Sequence, residues 1–301
     1  MTMRYGTLGE RLRWVSSFES PNDPGLAELD RRMCQFYAAS DLNAAYHGAL
    51  EAANAPWDTP MHRRILDLVQ PGHRVVEFSC GSGYSSDAVE RRGARYSGFD
   101  LPVQGLVTGG AHRRLTVGTA YSAPFRSGVA DVVFSLYALE HVVWPHKYLD
   151  EMLRVAKPGG RLVLAFPDYL DSGQELPSVR LGSRPGGLGE KLRAGRLWDA
   201  MRTCAERYLF YRPLMRRMRR TIIEGKRVQF PVYVSPSCLV APWRRDTDAI
   251  YHASEEEVVL YLASRGCAVE TRSVRDASGA PGTAKATNAF IVVRVGSGPR
   301  A

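Results

Sequence analysis

Lysine is scarce in this chain. Of 40 basic residues five are Lys and 35 are Arg, a bias that reflects coding composition as much as function and weakens the reading of the +9 net charge as a nucleic-acid signature. Cysteine is sparse too. The five cysteines, at positions 34, 80, 204, 238 and 267, are odd in number, scattered and without a CxxC pair, so neither a zinc site nor a disulfide framework is expected, and a reduced cytoplasm is the setting that fits. Long apolar runs are missing. The longest charge-free stretch, Val228 to Trp243, has 16 residues and is broken by Pro231, Pro236 and Pro242, which is too short and too interrupted to span a bilayer. The first residues, MTMRYGTLGERLRW, contain no apolar core of signal-peptide length, which argues against secretion and for a soluble chain.

What is present is enough for a full hydrophobic core. At 301 residues, 45% hydrophobic and 24% charged, the chain fits one large α/β domain with insertions or two small domains. Its basicity is local: residues 184 to 227 hold 13 basic side chains against four acids, a surplus of nine, and the remainder balances to about zero.

Residues 1 to 60 mix aromatic and polar side chains (Trp14, Phe18, Phe36, Tyr37, Tyr46, Trp57) and read as an N-terminal cap. A short helix follows over Pro60 to Leu68, with Ile65 and Leu68 facing inward, and Pro71-Gly72 turns the chain into the first core strand. Strand-like runs then appear at Val75 to Phe78, Arg95 to Phe99, Leu115 to Val117, Val132 to Leu136, Arg161 to Phe166, Ala268 to Val274 and Phe290 to Val295. Helical candidates lie between them at Ser85 to Arg92, His146 to Val155 and Ser254 to Arg265, the last with Ser254 as N-cap and Glu257 three residues on. This alternation predicts a doubly wound, seven-stranded, mostly parallel α/β sheet that binds ligands beyond the carboxyl ends of its strands. An antiparallel hairpin, joined by the Gly/Ala/Ser-rich loop Asp276 to Thr287, closes one edge. The core is assigned to residues 61–170 and 254–301, and a mainly helical insertion after the fifth strand to 171–253.

The chemistry-bearing residues cluster at strand ends. Val75 to Phe78 runs through acidic Glu77 into a glycine-rich turn, Ser79 to Gly83, where Gly81 and Gly83 permit positive φ and a close approach by a ligand to the backbone. Asp100, beside Leu101, ends the next strand, where a carboxylate can accept hydrogen bonds from the cis-diol of a ribose. Asp131 opens ADVVFSLYALEHV, and RVAKPGGRLVLAFP follows a helix.

Together these four blocks resemble the class I, seven-strand S-adenosylmethionine-dependent methyltransferases, over Val75 to Pro167 and more loosely over the last helix and two strands. The resemblance implies a cofactor loop of Glu77, Ser79, Gly81 and Gly83 and a ribose clamp at Asp100 and Leu101. It sets Thr119 and Ala120 against the adenine, and Leu136 with Tyr137 along the methionine portion. Lys157 to Gly160 is the family's structural turn before its fifth strand. Two positions depart from the pattern: Ser79 stands where the family has its first glycine, and Thr119 where it commonly has an acid for the adenine amino group.

S-Adenosylmethionine, leaving as S-adenosylhomocysteine, is therefore the expected cofactor, and no metal is expected. His141 is the candidate general base, with Glu140 beside it; the same Leu139-Glu140-His141 block is frequent in the family, which equally suits a packing role. The position after the fourth strand reads Ser135-Leu136-Tyr137-Ala138 instead of the Asn/Asp-Pro-Pro-aromatic box of adenine and glutamine N-methyltransferases, and the cysteine of RNA cytosine methyltransferases is absent. A small-molecule acceptor, such as a hydroxylated, glycosylated or anionic biosynthetic intermediate, is the expectation; an RNA or protein methyltransferase and a binding or pericyclic-catalysis protein that keeps the cofactor without transferring methyl are the alternatives.

Tyr37, Tyr46, Tyr137, His146, Asp246, Asp248 and Tyr251 are the candidate substrate contacts. The two aspartates suit substrate hydroxyls or a divalent ion, although turn formation before Ser254 explains much of the same pattern. In the insertion, Leu197, Met201, Cys204, Tyr208, Tyr211, Met215, Met218 and Ile222 form an apolar helical stripe that Pro213 must kink or restart, with Arg202, Arg216, Arg219 and Arg220 off the stripe. That basic face fits a solvated lid, an anion site on the substrate, or a weak contact with a membrane surface or RNA. Nucleic acid is disfavoured because the aromatic residues fall on the stripe.

Overall fold

Strand β1 (Trp14–Ser16) and helix α1 (Pro24–Ala38) open the described part of a computed structural model, which covers residues 13–38, 57, 59–101, 114–181, 187–240, 243–272 and 288–296. Helix α2 (Pro60–Asp67) starts where Thr59 accepts a hydrogen bond from the His62 amide, and Ile65 is fully buried beneath it. The core then follows as β2 (Arg74–Phe78), α3 (Ser86–Arg91), β3 (Arg95–Asp100), β4 (Leu115–Val117), β5 (Ala130–Leu136), α4 (Pro145–Val155) and β6 (Ala156–Pro167).

After β6 come α5 (Tyr169–Ser172), α6 (Pro177–Leu181), α7 (Leu188–Arg193), α8 (Leu197–Ala205) and α9 (Arg212–Arg219). Strand β7 (Pro231–Tyr233), helix α10 (Glu255–Ser264) and the strands β8 (Ala268–Arg272) and β9 (Asn288–Arg294) complete the order. Helix α10 is capped as its sequence predicts: the Ser254 hydroxyl accepts from the Glu257 amide at 3.2 Å.

Seven strands form one sheet in the order β4-β3-β2-β5-β6-β9-β8. The β2–β3, β3–β4, β2–β5 and β5–β6 pairs are parallel; β9 runs antiparallel to both β6 and β8, which makes the expected hairpin at that side. All seven predicted strands are present, and the loop between β8 and β9 lies outside the described residues. Because β2 pairs with β3 on one flank and β5 on the other, the chain reverses its winding there, and the loop after β2 opens into the crevice this reversal leaves.

The sheet is buried on both faces. Phe78, Phe99, Val133, Leu162 and Leu164 pack with Tyr148 and Leu149 of α4 and Val258 and Leu262 of α10; Val75, Tyr96, Val132, Phe134 and Val163 pack with Ile65 of α2 and Val89 of α3. Lys157 of the KPGG segment donates to Asp131 at 2.6 Å, and the other Asp131 oxygen accepts the Arg74 amide at 2.8 Å, so this block braces β2, β5 and β6. That is the structural role expected of it.

A second, two-stranded sheet pairs β1 antiparallel with β7, with Trp14 opposite Tyr233. It joins the N-terminal segment to the insertion, and Val15, Leu26, Leu29, Met33 and Phe36 pack there with Val232, Cys238 and Ile250. The apolar stripe of the insertion divides in two. Tyr211, Met215, Met218 and Ile222 are buried, whereas Leu197, Met201 and Tyr208 are exposed and Cys204 is half-buried. Pro213 is accommodated without a break: a π-helical turn, Glu206–Tyr211, precedes α9 and absorbs the proline's missing amide and ring bulk.

Candidate functional site

The loop after β2 is held by its own neighbours in a conformation that exposes its backbone. Ser79, Gly81 and Gly83 all have positive φ (55°, 54° and 68°), so the serine that replaces the family's first glycine adopts the left-handed conformation a glycine would take. Its hydroxyl lies 3.2 Å from the Tyr148 hydroxyl, which in turn lies 2.6 Å from Ser135 Oγ at the end of β5. A Cβ on Gly81 would meet nothing within 4 Å, so open space lies over this loop. A Cβ on Gly83 would come within 2.8 Å of Leu115.

Glu77 is buried. Its Oε2 accepts hydrogen bonds from the Ser85 hydroxyl at the start of α3 and from the Tyr96 hydroxyl at 2.5 Å. Burial pushes its carboxyl up to about 7, with the Ser85 and Tyr96 bonds opposing the rise. Glu77 therefore shapes the loop by tying β2 to β3 and α3. Asp100 accepts the Gly81 amide at 2.7 Å through Oδ2 and the Leu101 amide at 2.6 Å through Oδ1. Each carboxylate oxygen keeps further acceptor capacity, and the residue is half-buried. Burial raises the Asp100 carboxyl, opposed by those two amide bonds. Thr119, exposed, and Ala120, half-buried, sit in the turn after β4, tied to β3 by the Gly118 amide donating to the Asp100 carbonyl. Cys80 is buried and its thiol is pushed far up by burial and the Glu77 and Asp100 charges, so it is no nucleophile.

These groups fit an adenosyl cofactor: a positive-φ turn with free space over Gly81, and an anchored carboxylate at the end of the next strand with acceptor sites in reserve.

A second cluster forms where β5 ends. Tyr137, at φ 53°, turns the chain from Leu136 into a short 3-10 helix, Leu139–His141. The Glu140 carbonyl accepts the amides of Ile250 and Tyr251 at 2.8 and 2.9 Å, which clasps the end of the insertion onto this turn. In consequence Asp248 Oδ2 lies 3.4 Å from His141 Nδ1, while His141 Nε2 lies 3.7 Å from Glu140 Oε1. Asp248 is fully buried and held by two donors, the Tyr37 hydroxyl and the Trp243 indole, each at 3.0 Å. Glu140 Oε2 is buried without a hydrogen-bond partner among the described residues. Burial drives the Glu140 carboxyl up to about 7, and His141 partly offsets the rise. Burial alone would lower His141, but the Asp248 and Glu140 carboxylates outweigh it and raise its pKa.

Of the expected substrate contacts, Asp248 lies against His141 and Tyr37 donates to Asp248; Tyr137, in the turn before Glu140, has its hydroxyl near Met61 and Asn288, and Asp246 precedes Asp248 in the same turn. His146 and Tyr251 are elsewhere. His146 packs against Phe18 and Phe230, where burial lowers it to about 4, and the Tyr251 hydroxyl is committed to Glu257 at 2.7 Å inside the core. Tyr46 lies outside the described residues. Sequence reasoning missed Ser85, Tyr96, Tyr148 and Trp243. The one signal for Tyr148 was its partner Ser135, a polar residue inside an apolar strand.

The methyltransferase domain family matches residues 76–164. A protein of Mycobacterium sp. (strain KMS) named "Uncharacterized methyltransferase" is 30% identical over 148 residues, covering 48% of this chain and 59% of its own length. The demethylmenaquinone methyltransferase of Renibacterium salmoninarum is 34% identical over 146 residues, covering 46% of this chain and 61% of its own. The chain thus spans about three fifths of the length of these relatives. Among solved structures, an S-adenosylmethionine-dependent methyltransferase of Mesorhizobium loti aligns with a TM-score of 0.48 and 15% identity over 78% of this chain and 98% of that one. The matched segment runs from β2 through most of β6, so the part of the seven-stranded sheet that carries the glycine-rich loop is what resembles the methyltransferase domain family.

Proposed function

We propose that the chain methylates a small, hydroxylated acceptor held between the end of β5 and the insertion, with His141 and Glu140 handling the acceptor's proton. The observation that carries this reading is the buried His141–Asp248 contact beside an unpartnered Glu140 oxygen. An amine or thiolate acceptor needs little proton removal, whereas a hydroxyl gains from a base poised near neutrality; Glu140, pushed up to about 7, stands here beside His141, whose pKa the neighbouring carboxylates raise.

When bound, S-adenosylmethionine supplies a methyl group already activated on a sulfonium. Gly81, Gly83, Asp100, Leu101, Thr119, Ala120 and Leu136 would hold it, with Glu77 and Ser79 fixing the loop. The protein's own task is alignment, and orienting two reactants can supply roughly 7 to 11 kcal/mol of the barrier. Asp248 lies beside the His141 ring and raises its pKa by charge; Tyr37 and Trp243 hold Asp248; Tyr137 and Asp246 border the acceptor. In this reading residues 61–170 and 254–301 form the cofactor core, and the cap (1–60) and the insertion (171–253) supply acceptor specificity. The demethylmenaquinone methyltransferases among the relatives make demethylmenaquinone one acceptor to try first.

The test is incubation with methyl-labelled S-adenosylmethionine and separate pools of small metabolites, lipids, RNA and protein. Label in a small organic acceptor, reduced sharply in a His141→Ala variant, is the expected result. Label that moves into nuclease- or protease-sensitive material, or turnover without S-adenosylhomocysteine release, overturns the reading.

A further inference from the structure

Large apolar side chains are exposed in this structure at one place above all. Eleven stand exposed among the described residues, and seven of them fall between Leu192 and Phe210, led by Trp198 at 82% and Leu209 at 67%, with Leu197 and Met201 each at 61%. The arrangement within α8 is inverted relative to an ordinary surface helix. Leu197, Trp198 and Met201 share the outer face, while the small residues Ala200 and Thr203 are the buried ones. Leu209 and Phe210 extend the patch through the π-helical turn, where Arg212 lies 4.3 Å over the Tyr208 ring.

Arginine surrounds this patch. Arg193, Arg196 and Arg202 are exposed beside it, and Arg216, Arg217, Arg220 and Arg227 further along the same run are exposed and form no ion pair among the described residues. The run from 184 to 227 carries 13 basic side chains against four acidic ones.

We infer that residues 188–220 are a docking surface for an anionic phospholipid bilayer, with Leu197, Trp198, Met201 and Leu209 entering the headgroup boundary and the arginines meeting lipid phosphates. The charge selects among possible occupants. A second copy of this chain placed symmetrically on the patch would bring two strongly positive surfaces together. Nucleic acid would use the arginines and the exposed rings of Trp198, Tyr208 and Phe210, but it leaves Leu192, Leu197, Met201 and Leu209, four of the seven, unused, because aliphatic side chains offer no ring on which bases stack. A bilayer of anionic lipid uses both halves of the surface. This inference stands on the insertion alone and does not rest on the methyl-transfer reading.

The experiment is co-sedimentation of the full chain with vesicles of phosphatidylcholine and phosphatidylglycerol, compared with phosphatidylcholine alone, together with tryptophan emission. The expected result is partition into the anionic vesicles, weakened by salt, with a blue shift that a Trp198→Phe variant loses. The double variant Trp198→Glu with Leu209→Glu should partition about tenfold less or weaker still, as should Arg216→Glu with Arg217→Glu. Both pairs should keep the wild-type unfolding midpoint, because these side chains face solvent. Absence of partition by the wild-type chain, or partition unchanged in the two double variants, overturns the inference. So does a concentration-dependent dimer in light scattering that Trp198→Glu dissolves, or preferential retention on RNA.

Discussion

His141 Nδ1 lies 3.4 Å from Oδ2 of Asp248, a contact that joins the carboxyl end of the central strand β5 to the far end of the insertion. Two amide hydrogen bonds to the Glu140 carbonyl create it, since they fix the Asp246 to Tyr251 turn against the 3-10 helix that carries His141. Asp248 is then oriented by Tyr37 from the N-terminal segment and by Trp243 from the insertion. Three separate parts of the chain therefore converge on one imidazole, beyond the carboxyl end of β5, which pairs with the strand that leads into the glycine-rich loop.

Replacing Asp248 with Asn keeps the shape but removes one of the charges that raise His141. If the neutral imidazole takes the acceptor's proton, kcat/KM climbs with pH through the His141 pKa. Loss of the neighbouring charge lowers that pKa, so the acid limb of the profile should move to lower pH while kcat falls. His141→Ala should cost about 10²-fold or more in kcat. An acid limb that stays in place in Asp248→Asn would show that the two residues are not coupled in turnover.

Asp100 combines an observed role with a proposed one. Its carboxylate holds the Gly81 and Leu101 amides, and the proposed function assigns its remaining acceptor capacity to a ribose. Asp100→Ala should weaken S-adenosylmethionine binding by about 1.5 to 3 kcal/mol in titration calorimetry, with a smaller loss for Asp100→Asn, which retains one oxygen. Unchanged affinity in Asp100→Ala would remove the ribose assignment.

The strands, the capped start of α10 and the glycine-rich loop were legible because each is written locally: alternation for the sheet, Ser254 with Glu257 for the helix start, glycines where φ is positive. Asp246 and Asp248 were legible as a motif, but Asp248 was not legible as a partner of His141, because the contact depends on amide bonds from residues 250 and 251 to a carbonyl over a hundred positions away. Periodicity also treated the insertion's stripe as one buried face. Only Tyr211, Met215, Met218 and Ile222 meet the body of the protein, and what an apolar stripe packs against is a property of the assembled fold. Tyr251 illustrates the converse: a polar tip on an aromatic body, it satisfied a search for substrate contacts, yet its hydroxyl is committed to Glu257 in the core, while His146 is half-buried between Phe18 and Phe230.

Gly81 and Gly83 should respond differently to alanine although both have positive φ. Each substitution carries about 1 to 2 kcal/mol of left-handed strain. Gly83→Ala adds a collision with Leu115 at 2.8 Å, so its main effect should be on stability, read as a lower unfolding midpoint. The new methyl at Gly81 meets open space and should instead occupy the room over the loop, so its larger effect should be on cofactor affinity. Equal effects of the two variants on stability and on affinity would contradict the distinction.

Glu77 gives the protein a pH dependence of known sign. Its folded pKa, about 7, lies above the ordinary value of 4.5, so the folded state binds a proton that the unfolded chain has already released. The stability this contributes is fully present below about pH 4.5 and is lost as pH rises through 7. Glu77→Gln keeps an acceptor for Ser85 and Tyr96 but has no proton to lose, so it should remove this component of the slope. The check is the urea midpoint of both proteins at pH 5 and pH 8, conditions on either side of most of that titration. Wild type should lose more stability than Glu77→Gln between the two pH values. Parallel losses would mean that Glu77 is ionised throughout the window, with its two hydroxyl donors outweighing burial.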